Sequence, residues 1–201
     1  LPDELVRGRF ALNVGYAWEL LNSGDLDAAE TRLQDAERWL QTQPERAAIH
    51  ESPEFLSLRA QLSSARAYHA QALGDFPAVV HHARRVLEIA ADTDYFTRAG
   101  AASLLGLSYW ANGDLEAAYQ LIAEGMANFH RAGNPSFGIS PTFALADIRR
   151  TQGRLHDAIG AYERSQQIAL DHGEPVLQGA ADLYLGMSLL YDEMGDRENT
   201  R

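Results

Sequence analysis

The chain has no cysteine. That excludes disulfides, thiolate chemistry and any zinc site built on cysteine, and it fits a reducing cytoplasm. No run approaches the roughly 18 consecutive apolar residues that span a bilayer, so no membrane partner is expected. Cations are few against anions, 17 to 28, for a formal net charge of −11. Neutralising phosphates needs clustered Lys and Arg. The segment is therefore a poor nucleic-acid binder by itself, and Arg84-Arg85 and Arg149-Arg150 read as solvated pairs. Catalytic signatures are missing too: there is no HExxH, no GxSxG, no GxGxxG, and no GxxxxGK followed by Ser or Thr. His81 and His82 are adjacent, and adjacent helical residues point about 100° apart, so they chelate poorly. Asp92 and Asp94 offer too few oxygens for calcium. Neither an enzyme nor a metal site is expected. The N-terminus, Leu1-Pro2-Asp3-Glu4, has no initiator Met and no signal-peptide pattern. It reads as the start of an excised piece of a longer chain.

What is present is a recurring phrase. Gly113-Asp114-Leu115-Glu116-Ala117-Ala118 returns as Gly24-Asp25-Leu26-Asp27-Ala28-Ala29, as Gly74-Asp75-Phe76-Pro77-Ala78-Val79 and as Gly153-Arg154-Leu155-His156-Asp157-Ala158, and starts again at Gly195-Asp196. The glycines stand 50, 39, 40 and 42 residues apart. A near-constant period means one structural unit stacked several times. Glycine after an amphipathic run stops a helix in the left-handed conformation. The Asp beside it caps the next helix. Each unit is thus helix A, a tight turn and helix B.

The predicted units run about 5–40, 55–91, 95–132, 140–171 and 176–201, the last truncated, within a single helical-repeat domain over 1–201. Pro44 and Pro53 break a longer first connection, with the next A helix at Arg59 to Leu73, and Pro77 sits in a first helical turn. Gly133-Asn134-Pro135-Ser136-Phe137-Gly138 reads as a loop, and Gly173-Glu174-Pro175 as another break before a last A helix starting at Val176. Aligned on the turn glycine, the residue seven before it must be small where helix A meets helix B: Ala17, Ala67, Gly106, Ala146 and Ser188. Three before it, on the wall that a helix-turn-helix repeat turns inward, come Leu21, Gln71, Trp110, Arg150 and Asp192. Six before come Trp18, Tyr68, Leu107, Asp147 and Leu189, and ten before adds Phe143. From this wall the expected ligand or peptide groove is Trp18, Tyr68, Gln71, Trp110, Phe143, Asp147 and Arg150. Aromatic plates beside directional polar groups suit a binding groove. The alternatives are that the aromatics pack between helices and that Asp147 and Arg150, three apart, pair with each other.

These units resemble tetratricopeptide repeats, with a longer period. The resemblance implies an all-α fold: a right-handed superhelical solenoid of antiparallel helix pairs with a period of about 40 residues. The longer period is similar to the helical-repeat region of MalT-type regulators, the large ATP-dependent members of the LuxR family. Leu1 to Arg9 with Tyr16-Ala17-Trp18, Leu26 to Glu37, Gln152 to Leu155 through Ala161-Tyr162-Glu163, and Gly173 to Val176 with Ala181 to Tyr184 carry the likeness. It implies a cytoplasmic segment that senses a small-molecule inducer or a protein or peptide partner and gates ATP-dependent assembly, including self-association. It implies no cofactor here: ATP belongs to an absent neighbouring module, and DNA is reached only through an absent helix-turn-helix domain. The alternative is a generic tetratricopeptide-like scaffold that docks a peptide or protein tail.

Overall fold

The structure is a computed structural model that describes residues 6, 8–42, 52–172 and 180–195. It divides into two compact units, Leu1–Leu105 and Gly106–Arg201. Among the described residues every regular element is a helix.

Unit 1 contains α1 (Phe10–Ser23), α2 (Leu26–Gln41), α3 (Pro53–Leu73), α4 (Phe76–Ile89) and the first part of α5 (Tyr95–Ala111). The repeated phrase works as its chemistry dictates. Gly24 and Gly74 adopt φ 81° and 73°. Gly24 N–H donates to Leu21 O and Asp25 N–H to Leu20 O; Gly74 and Asp75 repeat the pair on Gln71 O and Ala70 O. These two bonds satisfy carbonyls that a helix end leaves bare. The Asp25 and Asp75 carboxylates then accept the N–H groups of Ala28 and Ala78, each at 3.1 Å. Below the turn, Phe10, Val14 and Ala17 of α1 close on Ala29, Leu33 and Ala36 of α2, with Leu62 and Ala65 of α3 completing the core.

A bonded cluster of polar groups ties α2 to α3. Arg66 grips Glu37 with Nε at 2.7 Å and Nη2 at 2.8 Å, and its Nη1 donates to Glu30. His69 Nε2 lies 3.1 Å from Leu26 O.

Unit 2 holds the rest of α5, then α6 (Leu115–Arg131), α7 (Pro135–Ile139), α8 (Thr142–Thr151), α9 (Leu155–His172) and α10 (Ala180–Glu193). Gly113, Gly153 and Gly195 take the same left-handed turn, φ 83°, 74° and 74°. Asp114 caps α6 through Ala117 N–H at 3.3 Å. Arg154 stands where the other turns have Asp, and its Nε donates to Asp157 of α9 at 2.6 Å. At Gly106 a Cβ would lie 2.6 Å from Ile122 Cγ1 and 3.1 Å from both Ala118 O and Ile122 N. This is the expected contact of helix A with helix B, and only glycine fits it. Ala17, Ala67 and Ala146 occupy the same register and are buried, while Ser188 is half-buried. Thr142 and Ser165 bridge α8 and α9 by a buried hydroxyl bond of 2.7 Å.

Four expectations are corrected. Arg149 is not solvated: it is buried at 7 % exposure, pairs with Glu116 of α6 and lies over the Tyr119 ring. Pro53 does not break a connection. It opens α3, six residues before Arg59, behind Ser52, whose Oγ accepts Phe55 N–H at 3.2 Å; proline lacks an N–H that the first helical position leaves unbonded anyway. The stretch 133–138 is not wholly loop: α7 forms within it, stacking Phe137 on Phe129 at 5.6 Å and burying Ile139. Leu21 does not line an inner wall; at 7 % exposure it belongs to the core of unit 1. Pro44, the break at Gly173-Glu174-Pro175, the start at Val176 and Asp196 lie outside the described residues.

Candidate functional site

The seven groove residues separate into two groups. In unit 1, Trp18 of α1 and Tyr68 of α3 lie against each other, ring centroids 5.4 Å apart and tilted 58°. Trp18 also packs on the core beneath it. Gln71, one turn on from Tyr68, has its Oε1 buried without a hydrogen-bond partner. Here the aromatics act first as packing.

In unit 2 the remaining four gather around one cavity of about 520 Å³. That lies within the usual span of small-ligand and side-chain sites. Trp110 comes from the end of α5, and Phe143, Asp147 and Arg150 from successive turns of α8. Trp110 and Phe143 meet edge to face at 5.9 Å. Periodicity explains the convergence, because positions 143, 147 and 150 share one face of a helix. The opposite wall comes from α10 through Gly186, Leu189, Leu190 and Glu193, and the floor from Tyr162 of α9.

Asp147 and Arg150 do pair, as the alternative reading allowed: Arg150 Nε and Nη2 donate to Asp147 Oδ1 at 3.2 and 2.7 Å. The pairing leaves them on the cavity wall, with Arg150 Nη1 3.6 Å from Glu193 Oε2. The hydrogen bond to Asp147, then its charge, raises the Arg150 pKa. Burial, and after it the charge of Asp147, raises that of the Tyr162 phenol. The phenol therefore stays neutral and keeps its proton to donate.

Sequence reasoning missed Tyr162, Gly186 and Glu193. Tyr162 sits on a helix B, which an A-helix wall does not sample. Gly186 carried a usable signal: an isolated glycine inside a helix costs about 1 kcal/mol against alanine and often marks a close approach. A Cβ there would lie 2.3 Å from Tyr162 Cζ and Oη, so the phenol end of the ring packs directly on the glycine.

Among the described residues no group of three His, Asp or Glu could hold an ion. The His81 and His82 rings meet edge to face at 5.0 Å, and burial, then the charges of His81 and Arg66, lowers the His82 pKa. None of the described helices is long and apolar enough to cross a membrane.

The profile of the MalT-like TPR region matches residues 60–201. The chain belongs to the MalT-like TPR region family. No curated protein sequence matches it. Among solved structures it is similar to the nearly identical TPR-like repeats of a protein described as a kinesin light chain from Podosopora anserina. That match has 18 % identity, 96 % of this chain and 90 % of that one covered, and TM-score 0.65. It is also similar to BtubC (BKLC) from P. vanneervenii, at 15 % identity, 100 % and 87 % coverage and TM-score 0.63. A third is MamA, at 17 % identity, 92 % and 87 % coverage and TM-score 0.57. At these identities the likeness speaks to fold alone. The fold is all-α and tetratricopeptide-like, built of antiparallel helix pairs, as the turn phrase implied. TPR-like repeats generally mediate protein–protein interaction and are typically non-catalytic scaffolds.

Proposed function

We propose that this chain is the signal-sensing and partner-binding repeat domain of a MalT-like, LuxR-family transcriptional activator in the cytoplasm. Its occupant, an inducer or a partner, sits in the cleft of unit 2 and gates ATP-dependent assembly through modules outside this chain. The observation that carries the reading is the convergence of Trp110, Phe143, Asp147 and Arg150 on one cavity within the stretch that the family profile matches.

The cleft draws on α5, α8, α9 and α10. An occupant touching all four is sensitive to their spacing. It shifts the regulator between states only to the extent that it binds those states unequally.

One feature supports a protein segment as the occupant. Phe143 and Leu189 on the rim are 50 % and 64 % exposed, so the cavity opens broadly rather than enclosing a small molecule. This also supports the second reading, a scaffold that docks a protein tail without an attached regulator.

The two readings separate on the native coding region around this segment. The activator predicts a GxxxxGK loop ending in Ser or Thr upstream and a helix-turn-helix pattern downstream. If both are missing, the activator reading falls and the tail-docking scaffold replaces it.

A further inference from the structure

The chemistry of the cleft narrows its occupant. Both bonds from Arg150 end on Asp147 Oδ1, and neither Asp147 Oδ2 nor Glu193 Oε1 makes a hydrogen bond among the described residues. The charged lining is two carboxylates and one guanidinium, and the guanidinium already serves both carboxylates. The unused capacity is therefore acceptor capacity in a field of net negative sign. An anion would have to break the Arg150–Asp147 pair and then face two carboxylates. A cationic donor meets those carboxylates directly and leaves the pair intact. Trp110, Phe143 and the floor ring of Tyr162 add aromatic surface beside them, which attracts a cation over a ring face and shelters the methylene stem behind it. The half-exposed rim residues Phe143 and Leu189 can cover apolar neighbours on either side of that side chain.

We infer that the cleft of unit 2 docks an extended peptide segment of a partner, with one Arg or Lys side chain reaching Asp147 and Glu193 between apolar neighbours, and that it discriminates against acidic segments. This deepens the reading above and rests on it.

The test is to pan a random-peptide library on the full chain and to measure the enriched peptides by fluorescence anisotropy. Enriched peptides are expected to carry Arg or Lys beside an apolar residue. Changing that residue to Gln, or making Asp147→Asn or Glu193→Gln in the chain, should weaken binding about tenfold, and raised salt should weaken it further. Trp110→Ala should do the same with the helical circular dichroism retained. The chain contains no lysine, so carbodiimide coupling of a Lys-bearing peptide should join that amine to Asp147 or Glu193 without lysine cross-links within the chain.

Acidic or neutral peptides that still depend on Trp110 would overturn the cationic assignment and leave the cleft as the docking site. Peptides indifferent to Trp110, Asp147 and Glu193, or no enrichment at all, would overturn both. Butylguanidinium binding as tightly as the best peptide would make the occupant a small organic cation and overturn the peptide.

Discussion

In unit 1 the position six residues before the turn glycine is aromatic twice, Trp18 and Tyr68, and the two rings lie against each other at 5.4 Å, with Tyr68 still 43 % exposed. In unit 2 the same position in α8 is Asp147, which folds back on Arg150 along its own helix, and a cavity of about 520 Å³ remains beside them. The turns and small contact residues of the two units are alike, and so are the caps except at Arg154. The polar chemistry is not. Unit 1 uses its strongest ion cluster, Arg66 with Glu30 and Glu37, between helices where it holds them together. Unit 2 ties α8 to α6 through Arg149, which pairs with Glu116 at 3.5 Å and lies over the Tyr119 ring, but it leaves Asp147, Arg150 and Glu193 on a wall. A repeat can keep its backbone rules and exchange a ring pair for a site by altering one register of helix A.

Four predictions sharpen that contrast. The largest effect belongs to unit 1. Arg66→Ala leaves two carboxylates facing each other with no cation between them, and should cost on the order of 2 kcal/mol. Chemical denaturation followed by Trp18 and Trp39 fluorescence reads it, and a cost near zero would mean that the ion cluster does not tie α2 to α3. Next comes Thr142→Val in unit 2, which strands the Ser165 hydroxyl that it now bonds at 2.7 Å. About 1–2 kcal/mol should be lost, and the double change Thr142→Val with Ser165→Ala should recover most of it.

A smaller effect follows pH. Burial works against the Glu30 charge, but Gln34, Arg66 and His69 outweigh it and lower the pKa below 4.5. Burial lowers His82 below 6.5. Both groups bind more protons unfolded than folded in the window between the two values. Their stabilisation is present above the ordinary values and is lost as pH falls through the lowered folded ones. Melting temperature should therefore begin to fall as acid takes the chain below pH 6.5 through His82, and fall again below pH 4.5 through Glu30. Replacing His82 with Gln should flatten the first decline.

The smallest effect should come from the cleft itself. The Arg150–Asp147 pair is exposed, so Arg150→Ala should change stability by less than about 0.5 kcal/mol. A large loss would make the pair structural and weaken the case for a site.

The turns were legible because their chemistry is local. A glycine with an Asp one residue on is visible in any window of a few residues, and it places helix ends at Gly24, Gly74 and Gly113 without knowledge of the rest; at Gly153, where Arg154 follows, the glycine does so alone. The helix at Pro135 and the early start at Pro53 escaped because proline opens helices as readily as it closes them, and Ser52 and Asn134 preceding them were the only cues. The cleft was half legible. Three registers on one face of helix A, three, six and ten residues before the glycine, find Trp110, Phe143, Asp147 and Arg150. They cannot find Tyr162 or Glu193, whose distance from that wall is set by how α9 and α10 pack on α8. They also cannot separate Trp18 and Tyr68, which lie against each other, from Trp110, which borders a cavity. That difference depends on side-chain volume across a helix contact and leaves no mark in spacing.

The three tryptophans make the central claim directly measurable, since Trp18 and Trp39 lie in unit 1 and Trp110 lies on the cleft. A ¹⁵N-labelled chain titrated with the best Arg-bearing apolar peptide should show one indole N–H resonance moving, that of Trp110, with the other two unmoved. Movement of Trp18 with Trp110 unchanged would place binding in unit 1 and contradict the account.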